Sequence, residues 1–127
     1  MRRSQLAWLL LAPLPLLAAA PAVRAQDAAQ GELVFKHNCA ICHTVEAGKN
    51  KIGPSLAGIV GRKSGAEAGF TYSDGMSSAG LTWDEATLDK YLANPREVVP
   101  GNKMMFPGVK NPDERRAIIA YLKTLKS

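Results

Sequence analysis

Thiols and imidazoles are scarce in this 127-residue sequence, with two cysteines and two histidines in all. That scarcity excludes a disulfide-dense scaffold, which needs several pairs to staple a small fold. It also strains any zinc site, which takes four ligands from Cys, His or carboxylate. Long apolar runs are missing too. The greasiest stretch, Leu6 to Ala20, is broken by Pro13 and Pro15, whereas a comfortable membrane span needs about 20 uninterrupted apolar residues. After Gln26 there is no internal repeat and no tandem basic run, so the electrostatic footprint of a nucleic-acid binder is absent. Nor does any run alternate cleanly enough to propose a sheet.

What the first residues do contain is a pattern of its own. Arg2 and Arg3 precede the apolar block, and Val23-Arg24-Ala25 places small residues at minus three and minus one of a potential cut. A basic start, a short greasy core and that ending describe a secretory signal peptide. Residues 1–25 are therefore expected to be cleaved, leaving residues 26–127 as a single domain; an uncleaved N-terminal anchor is the alternative. The leader holds three of the 16 Lys+Arg and no acid, so 13 basic residues face 11 acidic ones afterwards, a net charge of +2. A domain of about 100 residues buries a modest share of its surface, so a cofactor would help to build its core.

Three helices follow from capping and periodicity. One is expected to start near Asp27, whose Asp-Ala-Ala-Gln forms a capping box ahead of Leu33, Val34 and Phe35. A second starts near Thr82 with Glu85 at its third position, presents Leu88, Tyr91 and Leu92, and ends at Asn94-Pro95. For the third, Asn111 caps, Pro112 suits the first turn, and Ala117, Ile118, Tyr121, Leu122 and Leu125 recur at helical spacing. Between the first two lies a loop from about Glu46 to Leu81. A loop this long inside a compact domain means function, disorder or a wrong element assignment, and Leu56, Ile59, Val60, Phe70 and Tyr72 argue against disorder and for packing against something that is not another helix. The expected class is thus all-α, with long loops.

Both cysteines sit in Asn38-Cys39-Ala40-Ile41-Cys42-His43. A thioredoxin-like redox pair would open a helix after a strand, but here a helix precedes Cys39. A zinc tetrahedron from His37, Cys39, Cys42 and His43 would be severely crowded. Cys-x-x-Cys-His as a c-type haem attachment needs only what is present. Each thiol adds to a vinyl group, and the adjacent histidine becomes an axial iron ligand. Export agrees with that chemistry. The sixth position then has Met76, Met104, Met105 and His37 as candidates. His37 is too close to the attachment motif to reach the other face. Met104 and Met105 lie in a turn-rich segment, Pro100-Gly101-Asn102-Lys103 before and Phe106-Pro107-Gly108 after, and spacing alone does not choose between them.

The stretches "CAICHTVEAGKNKIGPSLAGIVGRKSGAEAGFTYSDGMSSAGLTW" and "NPREVVPGNKMMFPGVKNPDERRAIIAYLK" resemble the class I c-type cytochromes, from about Gly31 to Lys126. The resemblance implies a small fold in which N- and C-terminal helices cross, with Gly31 and Phe35 near Ile118 and Tyr121, and helices and long loops enclosing one covalent haem c. It implies Cys39 and Cys42 as attachment points, His43 as one axial ligand, and Met104 as the other. Pro54 would accept a hydrogen bond from the ligand imidazole. Arg62, Tyr72, Ser73 and Trp83 would surround the haem propionates. Tyr91 and Asn102 would flank the axial sulfur, and Phe106 would close the crevice. The chain departs from the mitochondrial members at Asn102 (threonine there), at Met76 (an asparagine linked to internal water) and at Asn38 (a docking lysine).

The expected function is a monomeric periplasmic electron carrier, not an enzyme, with no small-molecule substrate, no nucleic acid and no membrane attachment once the leader is cut. It would pass single electrons from a respiratory or photosynthetic donor complex, or a periplasmic dehydrogenase, to an oxidase or reaction centre. Partners would dock transiently over the haem edge, steered by some of Lys36, Lys49, Lys51, Lys63, Lys90, Lys103 and Lys110. The rivals are an enzyme or gas sensor with an open iron position, and a membrane-tethered form of the carrier.

Overall fold

Helix α1 (Ala20–Asn38) and helix α5 (Pro112–Leu122) cross each other and make the most extensive contact between elements. This is a computed structural model that describes residues 20–127; all but the last few residues of the expected leader lie outside the described residues. The crossing is close because Gly31 is buried in it. A Cβ there would run into the Ala117 carbonyl and lie 2.9 Å from Tyr121 Cβ, so only a residue without a side chain fits. Phe35 stacks on Tyr121 one turn along, with ring centroids 5.3 Å apart. Ile118, 1% exposed, sits at the centre of the core.

Helix α1 begins seven residues before the expected Asp27 cap. Ala22, Ala25, Ala28 and Ala29 are strong helix formers, so in the uncut chain the helix runs through Asp27 without needing a cap there. Among the described residues there are five helices rather than three: α2 (Asp74–Ser77), α3 (Glu85–Ala93) and α4 (Pro95–Val98) lie between the crossing pair. Helix α3 starts after Asp84, not near Thr82. The Asp84 carboxylate accepts from the Thr87 N–H at 2.8 Å, while Thr82 is engaged in an isolated bridge with Lys63 and Trp83 N–H donates to Arg62 O. Asn94 closes α3 as expected, but Pro95 reopens the chain as the single turn of α4. Asn111 caps α5 by accepting from Asp113 and Glu114 N–H groups at 2.8 and 3.4 Å.

Among the described residues there is no strand beyond that one bridge. The long loop is ordered instead by side chains that satisfy its backbone, the requirement any buried loop must meet. Ser55, fully buried, donates to Glu46 O at 2.6 Å. Asn50 accepts from Ser55 N–H at 2.9 Å and donates to Ala68 O at 3.0 Å. Two short helical turns escape periodicity analysis because neither is long enough to show a period. Ser73 nonetheless caps α2, accepting from Met76 N–H at 3.1 Å.

Candidate functional site

The loops and helices together enclose a cleft of about 550 Å³, within the roughly 300–1,000 Å³ usual for cofactor sites. The twelve residues that the resemblance assigns to the haem site all line it: Cys39, Cys42, His43, Pro54, Arg62, Tyr72, Ser73, Trp83, Tyr91, Asn102, Met104 and Phe106. So do Leu56, Ile59 and Phe70 of the long loop, which answers what those apolar residues face. His37 is exposed and is not part of the lining.

The attachment motif follows directly on the end of α1. Cys39 N–H donates to Phe35 O at 2.8 Å and His43 N–H to Cys39 O at 2.9 Å, so the helical path continues just far enough to turn both sulfurs and the ring toward one cavity. The thiols are not joined to each other. Burial, with a smaller contribution from Cys42, pushes the Cys39 thiol up to about 11; it is held as S–H. His43 Nδ1 lies 2.7 Å from Pro54 O. A carbonyl only accepts, so Nδ1 carries the proton and Nε2 keeps its lone pair, the tautomer a metal-binding imidazole needs. Burial lowers the His43 pKa against the raising effect of that hydrogen bond, and the neutral ring is favoured. Gly53 backs the ring so tightly that a Cβ would sit 2.7 Å from Nδ1.

The two methionines that spacing left undivided are separated by burial. Met104 packs against the core and lines the cleft, whereas Met105 is 87% exposed at its rim. Met104 is positioned by Asn102, whose Oδ1 accepts from the Met104 N–H at 2.9 Å. The Asn102 amide gives its two protons to Pro95 O and Val99 O, both at 3.0 Å. It therefore holds the loop and has no proton left for a sulfur. Met76 also lines the cleft and packs on the core.

Tyr91 packs on Trp83 with centroids 4.8 Å apart and rings tilted by 52°; burial pushes its hydroxyl up to about 12, so the residue lines the cavity with its O–H proton in place. Of the seven candidate lysines, Lys103 lines the cleft; its ammonium donates to Thr71 O at 2.8 Å, joining the methionine loop to the long loop. Lys36 and Lys49 are paired with Glu32 and Glu46. Lys51 and Lys110 donate to backbone carbonyls, and Lys63 and Lys90 are exposed.

This donor set suits a haem better than a bare ion. Two free thiols, one neutral imidazole and a thioether converge on a mainly apolar cavity, and no group of three or more His, Cys, Asp or Glu side chains stands ready for a lone metal among the described residues. No described helix is long and apolar enough to cross a membrane.

Comparison with known proteins points the same way. The family model described as Cytochrome c matches residues 28–126. The chain is 64% identical over 88 residues to cytochrome c2 iso-2 of Magnetospirillum molischianum, spanning 69% of this chain and 91% of that protein. To cytochrome c2 of Rhodomicrobium vannielii it is 55% identical over 106 residues, 83% of this chain and 84% of the relative. Among solved structures, cytochrome cH from Methylobacterium extorquens superposes with a TM-score of 0.72 at 48% identity, covering 77% of this chain and 98% of that one.

Proposed function

We propose a function that starts from family: this chain belongs to the cytochrome c family and carries one covalently attached haem c, as a small electron carrier. In our reading it is exported, loses residues 1–25, and works in the periplasm as a monomeric one-electron shuttle. Cys39 and Cys42 would hold the haem covalently, each S–H adding across a vinyl double bond without need of an oxidant. His43 Nε2 and Met104 Sδ would hold the iron. The observation that carries this is the convergence of those four side chains on one cleft, with the imidazole already in the required tautomer.

When bound, the haem supplies a one-electron couple at iron. The chain's own residues set how it is used. With His43 and Met104 both holding the iron, no position would remain for a substrate, and the protein would turn nothing over. A thioether ligand favours ferrous iron and raises the potential, and the apolar cleft acts in the same direction, because the oxidised site carries the extra positive charge. Pro54 and Gly53 fix the imidazole plane; Tyr91 offers a proton to the cavity.

Ile52 and Met105, 75% and 87% exposed, stand on the cleft lining. Lys103, two residues before Met105, and Lys51, which precedes Ile52, carry positive charge in the same chain segments. A partner with an acidic surface around an apolar centre fits that rim. Such docking is brief and weakens with salt.

The test is the exported, purified protein. Haem that stays on the chain under denaturing electrophoresis, and a low-spin spectrum on reduction, are expected. Loss of the haem on denaturation, or a high-spin reduced spectrum, would refute the assignment.

A further inference from the structure

Glu67 belongs to no motif, yet it ties together two donors that face the cleft. Its carboxylate accepts from Arg62 Nη1 at 2.8 Å, and its backbone N–H donates to Tyr72 Oη at 3.1 Å. The ion pair is largely out of solvent, with side chains 15% and 16% exposed, unlike the exposed pairs that contribute little.

Arg62 has five N–H groups. Nη1 gives its two to Glu67 and to Ala57 O at 3.2 Å, and Nη2 gives one to Ser55 O at 2.8 Å. One Nη2 proton and the Nε proton are uncommitted, and Arg62 lines the cleft. Tyr72 accepts from Glu67, so its own hydroxyl proton is also uncommitted, and it lines the same cleft. Glu67 thus holds both side chains from behind.

We propose that Glu67 is a positioning residue that presents Arg62 and Tyr72 to the carboxylates of the bound cofactor and, by neutralising Arg62, sets the reduction potential lower than an unpaired Arg62 would. The inference rests on the haem reading above. Buried carboxylates require donors, and Arg62 and Tyr72 supply them from one loop, with Glu67 bonded to both. The electrostatic part follows from charge. The oxidised site is more positive than the reduced one, so a nearby anion favours the oxidised form. An unpaired Arg62 would disfavour it; the Arg62–Glu67 pair is neutral.

Redox titration of the purified holoprotein tests this with Glu67→Gln and Glu67→Asp. Gln keeps an acceptor oxygen for Arg62 and removes the charge, so the midpoint potential is expected to shift positive while covalent haem and the low-spin spectrum are retained. Asp keeps the charge and is expected to stay closer to the original potential. A structural role alone would lower the melting temperature of the Gln variant and leave its potential in place, which would overturn the proposal. So would a negative shift, or failure of the Gln variant to hold haem that the unsubstituted chain holds. An unsubstituted chain without covalent haem would refute the underlying reading, and electrophoresis shows that before any titration.

Discussion

His43 is fixed by near neighbours on rigid chain. Its ring donates to Pro54 O at 2.7 Å, rests on Gly53, and follows two residues anchored by backbone bonds running back into α1. Met104 lies where the chain has neither helix nor strand, from residue 102 to residue 111. Its nearest polar restraint is one asparagine, which links Pro95, Val99 and the Met104 N–H. One side of the cleft is thus built by geometry that leaves the ring a single orientation. The other is a loop in which the Met104 backbone is tied by one asparagine side chain, with the Lys103 ammonium on Thr71 O as a further link to the long loop. On the proposed ligation, the imidazole side is permanent and the thioether side is the one that opens first.

Substitutions can break or sharpen that contrast. His43→Ala should have the largest effect, removing the only imidazole that lines the cleft; the purified protein is expected to show no low-spin spectrum in either oxidation state. Gly53→Ala should come next. Its new Cβ would press on the His43 ring, and overpacking of that kind costs about 1–3 kcal/mol, visible as a lower melting temperature together with an altered low-spin spectrum.

Asn102→Ala should act on the other side alone. It leaves the Met104 N–H without its partner and takes one of two donors from each of the Pro95 and Val99 carbonyls, at a cost of about 1–3 kcal/mol, confined to the loop. Faster binding of cyanide to the oxidised protein, with little change in chemical denaturation followed at α1 and α5, is the expected signature. Smallest of all is Met105→Ala, which removes an exposed side chain whose one polar contact is a long 3.9 Å approach from Arg96. It should change stability by less than about 0.5 kcal/mol and leave ligation intact.

The same contrast explains what could be read in advance. Helix α5 and the end of α3 were legible because caps and periodic apolar residues coincide there; Asn111 and Asn94 stand where expected. The His43 side was legible from five consecutive residues, since attachment chemistry dictates its own spacing. The start of α3 was not, because Thr82 and Asp84 are both good caps and only the Lys63 bridge decides between them. Met104 against Met105 was open to spacing and is divided by burial, which depends on how the loop returns across the cleft. Glu67 was missed altogether. An isolated acid in a Gly-rich loop gives no sequence signal, and its partner Arg62 is defined only by tertiary contact.

The central claim is that Met104 fills the sixth iron position. Carbon monoxide added to the reduced protein at neutral pH tests it most directly. The unsubstituted chain and Met105→Ala are expected to bind none on mixing, and Met104→Ala to bind it at once. Rapid binding by the unsubstituted chain, or by Met105→Ala and not Met104→Ala, would contradict the account.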